Sequence, residues 1–174
     1  AARRTSDQGA AGTHQTTALT MAQGAIEQLK ALSFSLRPAQ LDLLGLASTV
    51  ETALELAARP AGLDYDFLIR GEEPAALGEN ASVAVRLVQE ALDNVVRHAG
   101  ATRVVVRLRF LADARLGVLV LDDGKGFDPG HWLAGPEGER DRGLHAMSGR
   151  TELAGGRLRV RSRPGRGVAL RAVL

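Results

Sequence analysis

The sequence predicts an α+β domain, a two-layer sandwich whose mixed, mainly antiparallel sheet carries its helices on one face. Three observations predict it. Segments with the 3.6-residue period of amphipathic helices are interleaved with segments that alternate every second residue. The chain closes with two short alternating runs, Arg157–Ser162 and Val168–Leu174, joined by Pro164-Gly165-Arg166-Gly167 as a local antiparallel hairpin. The helices between sheet elements do not follow the strict strand–helix–strand rhythm of a doubly wound parallel sheet. With 174 residues, 45% of them hydrophobic and 24% charged, the chain is long and apolar enough for one domain with a small appendage. Aromatic residues are only 3%, so the core must be built from Leu, Val and Ala.

Taken in order, residues 1–15 are small and polar without a period and are expected to be a disordered lead-in. From Thr16 a helical stripe runs through Leu19, Ala22, Ile26, Leu29, Ser33 and Leu36 until Pro38 ends it. Its polar flanks leave little surface for a second contact. We therefore read residues 16–38 as a self-association helix, the alternative being a helix docked on its own domain. Residues 39–174 form the main domain. A second helix is expected from Asp42, placed to cap it, to Arg59, with Pro60-Ala61-Gly62 as its breaker. Leu63, Tyr65, Phe67 and Ile69 then mark one side of a strand. A long helix over Gly78–Ala99 follows, and then two strands. The first of these turns Val104, Val106, Leu108 and Phe110 to one side. The second, Leu116–Leu121, is apolar on both faces and therefore central. A Gly-rich loop spans Asp122 to about Arg142, and a helix over Gly143–Ala154 stops at Gly155-Gly156.

Composition excludes several classes of function. There is no cysteine, hence no disulfide framework, thiolate metal site or cysteine nucleophile. No apolar run approaches the ~20 residues that span a bilayer. The formal net charge is only +2 and lysine occurs only at Lys30 and Lys125, so the high pI reflects arginine and does not imply nucleic-acid binding. Arg157, Arg159 and Arg161 alternate with Leu158 and Val160, the pattern of a half-buried strand with a solvated face, although a basic patch there is the alternative.

Three constellations carry candidate chemistry. On the long helix, Glu90, Asn94 and His98 fall in a stripe of about 80°, with Ala84, Val88, Ala91, Leu92, Val95 and Val96 opposite. A carboxamide oxygen suits Mg²⁺, a carboxylate one turn earlier can orient water, and Arg97 can neutralise phosphate. An ordinary polar helix face would look the same. The second is Asp122-Asp123-Gly124-Lys125-Gly126-Phe127, at the end of the central strand. There a carboxylate can accept a hydrogen bond from a ligand amino group and glycines permit close approach of a flat ring. The third is Arg142-Gly143-Leu144-His145-Ala146-Met147, a helix start whose free N–H groups favour phosphate. Between the last two lies a polar, Gly- and Pro-rich stretch with the composition of a lid.

Together these stretches carry a resemblance. QEALDNVVRHAGA (Gln89–Ala101), LDDGKGFDP (Leu121–Pro129) and RGLHAMSGRTELAGGRLRVRSRPGRG (Arg142–Gly167) resemble the N, G1 and G2 boxes of two-component sensor histidine kinases. More narrowly, they resemble the nitrate-sensor and desaturase-sensor kind, the subfamily that pairs with LuxR-type response regulators. LSFSLRPAQLDLLGLASTVETAL (Leu32–Leu54) is similar to that subfamily's join between dimerisation helices and catalytic domain, which makes residues 16–38 the remnant of a dimerisation helix. The resemblance implies the Bergerat ATP-binding fold of gyrase, the Hsp90 chaperones and MutL, with ATP and Mg²⁺ as cofactors. It implies that Asn94 binds Mg²⁺ and that Glu90 acts as base or orients a metal-bound water. By the same likeness Arg97 and His98 contact phosphates, and Asp122 accepts the adenine amino group. Gly124 and Gly126 shape the pocket, and Gly143 and Leu144 close over the phosphates.

The sequence departs from the family pattern in having Asp141-Arg142 before Gly143, Ala146 in place of a frequent Gly, and Val168 in place of a frequent Thr. The family's phosphoacceptor, a His-Asp or His-Glu pair, is not found; His14 is followed by Gln15. The expectation is therefore the catalytic part of a larger cytoplasmic or membrane-anchored kinase, one that phosphorylates a histidine outside this chain for relay to a response-regulator aspartate. In the full protein it would be a homodimer through its dimerisation helices, touching no nucleic acid directly and a membrane only through an upstream region. Two alternatives stand beside it: a nucleotide-binding or dimerisation module of a degenerate kinase, and a serine kinase of the anti-sigma-factor type.

Overall fold

A computed structural model describes residues 39–75, 77–129 and 142–174. The expected lead-in, the helix over 16–38, His14 and most of the proposed lid lie outside the described residues.

Helix α1 (Ala39–Ala61) begins three residues before Asp42 and contains a break at Gly45, whose φ of 79° and ψ of 175° are not helical. Asp42 therefore sits in the first turn of a short leading piece and does not cap the helix. The cap of the main piece comes from far along the chain. The Glu73 carboxylate accepts the Leu46 and Ala47 N–H groups at 2.5 and 3.0 Å. These are two of the donors that a helix start leaves without intrahelical partners. At the other end Leu63 N–H reaches Ala58 O (3.0 Å) and Gly62 N–H reaches Arg59 O (3.2 Å), with Gly62 left-handed at φ 65°. This is a Schellman closure, so the helix runs past the expected Arg59 and absorbs Pro60 in its last turn.

Strands β1 (Asp64–Arg70), β2 (Arg103–Phe110), β3 (Leu116–Asp122), β4 (Arg157–Ser162) and β5 (Val168–Val173) form one sheet of order β1-β2-β3-β5-β4. The β1–β2 pair is parallel and the others are antiparallel. This is the expected mixed, mainly antiparallel sheet, with β3 in the middle as its two apolar faces require. Helix α2 (Glu79–Asn94) continues as a π-helical turn over Val95–Ala99, and α3 (Arg142–Leu153) precedes the closing hairpin.

Core residues come from both layers. Leu46, Val50, Leu54 and Ala58 recur every fourth residue along α1, and Ala84, Val85, Val88 and Leu92 line α2. They meet Val104, Val106 and Leu108 of β2, Leu116, Val118 and Val120 of β3, and Leu170 and Ala172 of β5. Alternation sends the intervening residues to the other face, which no described helix covers. On β1, Tyr65 and Phe67 pack on the core, whereas Ile69, near the end of this edge strand, is 47% exposed.

The long helix was expected to run unbroken to Ala99. Its π-helical end rotates less per residue than an α-helix. Val95 is buried, but Val96, assigned to the apolar side on α-helical spacing, is 45% exposed. Gly100, left-handed at φ 57°, ends the turn.

Candidate functional site

A cavity of about 530 Å³ opens between the π-helical end of α2, the end of β3, the start of β5 and the start of α3. Its floor is aliphatic, from Ala91, Val95, Val120 and Leu170, and its polar groups include Asn94, His98, Asp122, Lys125 and Asp128. Apolar walls with a few convergent polar groups are what an organic ligand needs: burial for affinity, hydrogen bonds for orientation.

The consecutive acids Asp122 and Asp123 have been sorted by the strand. Asp122, last in β3, lines the cavity and is half-buried. Its Oδ1 accepts the Gly124 N–H at 2.9 Å, and the Val168 N–H also reaches its carboxylate. Burial pushes the Asp122 carboxyl up; the two N–H bonds oppose that shift and the neighbouring Asp123 charge adds to it. Asp123 faces away and does structural work. It accepts the Thr102 hydroxyl (2.6 Å), the Thr102 N–H (2.8 Å) and the Arg103 N–H (2.9 Å), pinning the start of β2. These bonds, the Thr102 hydroxyl first, hold its carboxyl below the usual range.

Behind Asp122 two loops cross at backbone contact. Lys125 N–H binds Ala99 O (2.9 Å), Gly165 N–H binds Lys125 O (2.6 Å) and Gly167 N–H binds Gly124 O (2.7 Å). The Ser162 hydroxyl accepts the Phe127 N–H (2.8 Å) and donates to Gly167 O (3.0 Å). The crossing needs residues without a Cβ. At Gly126 (φ 58°) a Cβ would fall 2.2 Å from Arg163 O, and at Gly167 (φ 64°) it would fall 1.9 Å from Asp122 O. Gly124 is buried, and a Cβ there would stand 2.6 Å from Ala99 O. The Gly-rich loop, the π-turn and the hairpin thus form one rigid wall around the carboxylate.

Of the residues singled out from sequence, Asn94, His98, Asp122, Gly126 and Leu144 share this cavity. Gly124 lies immediately behind it. Glu90 sits one turn before Asn94 on α2 and is not among the lining residues. Arg97 is turned to Asp93, with Nε 2.7 Å from Oδ1 in an exposed pair. Gly143 stands beside Leu144 at the start of α3 without lining the cavity. Sequence reasoning gave no individual role to Lys125, Phe127 or Asp128, all of which line it; Val168, noted there as replacing a frequent Thr, lines it too. Lys125 and Phe127 lie within the second constellation and Asp128 directly follows it, so only their roles were missed. Ser162 gave no signal, being one polar residue in an alternating strand.

A mixed sheet with one helix layer and a nucleotide-sized hollow between helix and strand end is the build of an ATP-binding sandwich. Residues 79–174 match the histidine kinase-, DNA gyrase B- and HSP90-like ATPases, and the chain belongs to that family. It is 34% identical over 146 residues to an uncharacterized sensor-like histidine kinase of Chloroflexus aurantiacus, covering 82% of this chain and 24% of that protein. It is 37% identical over 144 residues to the sensor histidine kinase NarS of Mycobacterium tuberculosis, covering 80% and 32%. The blue-light activated histidine kinase of Erythrobacter litoralis shares the fold, with a TM-score of 0.61 at 20% identity over 89% of this chain and 49% of that one. The chain thus spans a quarter to a third of the length of these curated relatives. Within the family it is the ATP-binding catalytic domain of the sensor histidine kinase type.

Proposed function

We propose that this domain binds Mg·ATP in the 530 Å³ cavity and transfers the γ-phosphoryl group to a histidine outside the chain, for relay to an aspartate of a response regulator. The observation that carries the reading is that Asn94 and Asp122, from different elements, open onto one hollow with an aliphatic floor. In this reading Asp122 accepts the adenine amino group, and Gly124 and Gly126 let the ring approach the backbone. His98 contacts the phosphates, with Leu144 and Gly143 closing over them. Arg97 joins by leaving Asp93, a small loss because an exposed ion pair is worth about 0–1 kcal/mol.

The donors suit magnesium, which takes few protein ligands and fills its shell with water and phosphate oxygens. Among the described residues no cluster of three or more His, Asp or Glu forms a complete metal cage. Asn94 would hold the ion, and Glu90, one turn back, would act as base or orient its water; the metal would supply charge neutralisation at the phosphates. Phosphoryl transfer asks little covalent chemistry of the protein, so positioning and electrostatics dominate. Partnership with a LuxR-type regulator and dimerisation through helices before residue 39 belong to the same proposal, as does a cytoplasmic site of action; among the described residues no helix is long and apolar enough to cross a membrane.

The test mixes the chain with a separate dimerisation-helix fragment bearing an acceptor histidine and γ-labelled Mg·ATP. Acid-labile label on the fragment, lost with Asn94→Ala, is the expected result. Acid-stable label would point to a serine kinase, and binding without transfer to a nucleotide-sensing module.

A further inference from the structure

The sheet face opposite the helices carries a charge pattern that the nucleotide site does not use. Leu119, in the middle of β3, is flanked by Arg107 on β2 and Arg171 on β5, and Arg159 of β4 stands opposite Arg171. The neighbouring rows add Arg109 and Arg157 on one side and Arg161 on the other. All six arginines are exposed. None of them makes an ion pair among the described residues. The acids near this face, Asp64 and Asp66 on edge strand β1 and Asp123 just beyond the end of β3, stand away from the row of Arg107, Leu119 and Arg171; Asp66 is already paired with Arg103, and Asp123 is taken up by Thr102 and the Arg103 N–H. In a chain of net charge +2 this is strong segregation of charge. It also costs stability, because like charges placed directly opposite across a strand pair repel.

Between the arginines the surface is aliphatic and half-buried: Val105, Leu119, Leu121, Ala169 and Val173, with Gly117 leaving β3 low at one end. An apolar centre with an arginine rim is the anatomy of a protein interface. The dimensions select its occupant. Strands two apart are roughly 10 Å apart, so Arg107 and Arg171 wall a trough as wide as an α-helix, about 10–12 Å. Among the described residues no aromatic side chain lies on this face to stack bases, and a broad sheet does not enter the DNA major groove.

We propose that this face docks an amphipathic helix of a partner protein, its aliphatic seam on Leu119 and Leu121 and its Asp or Glu flanks against Arg107 and Arg171. This proposal is independent of the nucleotide site. The probe is a synthetic helical peptide of about 20 residues with a leucine seam flanked on both sides by glutamate; the same peptide with glutamine, an anionic phospholipid vesicle and a DNA duplex serve as comparisons. Arg107→Glu/Arg171→Glu and Leu119→Asn are each expected to weaken the glutamate peptide about tenfold or more while Mg·ATP binding persists. The glutamine peptide binds weakly to the parent chain, and salt weakens the glutamate peptide. Should the variants not fold, amide shifts of the unmodified chain titrated with the peptide decide, with changes expected at Arg107, Leu119 and Arg171. Shifts confined to other surfaces, affinity indifferent to the substitutions, or vesicles or DNA bound as tightly as the peptide would overturn the proposal.

Discussion

Replacing one glycine by alanine at two positions should have opposite effects. At Gly124 the new Cβ would stand 2.6 Å from Ala99 O, 2.7 Å from Ala99 Cβ and 2.9 Å from Asp122 Oδ1. Ala99 cannot retreat freely, because its carbonyl accepts Lys125 N–H and it ends the π-turn. Overpacking of this kind costs about 1–3 kcal/mol, and disturbing the Gly124–Asp122 hydrogen bond adds about 0.5–1.5 kcal/mol. Gly124→Ala is therefore expected to destabilise the chain by about 2–4 kcal/mol. It should also displace the Asp122 carboxylate and weaken nucleotide binding by about tenfold or more, or roughly 1.4 kcal/mol. At Gly149, inside α3, a Cβ meets nothing within 4 Å. Gly149→Ala is expected to stabilise by about 0.5–1 kcal/mol. Urea unfolding of both variants and the parent, compared at constant m-value, reads the difference. Equal midpoints for the two variants, or a Gly124→Ala chain as stable as the parent, would refute the crossed-loop reasoning.

Glu73→Ala removes the carboxylate that accepts Leu46 and Ala47 N–H, so a loss of about 1 kcal/mol is expected, with faster hydrogen exchange at those two amides. Because burial raises the Asp122 carboxyl, it takes up a proton at higher pH than a surface carboxylate and becomes a weaker acceptor for a ligand amino group beside the Gly124 and Val168 N–H groups it already accepts. Nucleotide affinity measured by titration should therefore fall as pH is lowered from neutral through the raised Asp122 pKa, and Asp122→Asn should remove that dependence. The stability sign is opposite: the ionised buried carboxylate weighs against the free fold above its raised pKa and is relieved as pH falls through it, so Asp122→Asn should stabilise the nucleotide-free chain at neutral pH. Asp123 is depressed, so its contribution is present above the unfolded value and lost as pH falls through the folded one; denaturation of Asp123→Ala at pH 7 should show a loss of about 1 kcal/mol after solvent screening.

Much of this architecture was legible in the residues because burial and period dictate it. Alternation in Arg103–Phe110 and the doubly apolar run of β3 gave the sheet and its centre, and the helical period gave Leu46, Val50 and Leu54 of the α1 face, whereas Leu43, assigned to the same face, is 83% exposed and Ala58, which is buried, was missed. What escaped was set by contacts distant in sequence. Asp42 has the residue type of a cap, but Glu73 supplies it because Gly45 breaks the leading turn. The π-turn at Val95–Ala99 defeats α-helical arithmetic for Val96, since nothing local announces a wider turn. At the site, Asp122 could be preferred to Asp123 by its place at the strand end, whereas the Ser162 and Gly167 contacts exist only once the hairpin has folded across the loop.

The most direct test of the central claim is a crystal structure of the chain with a non-hydrolysable Mg·ATP analogue. The purine amino group is expected within hydrogen-bond reach of Asp122, with the metal-bearing phosphates beside Asn94. A nucleotide bound elsewhere, or seated in this cavity with its purine away from Asp122, would contradict it.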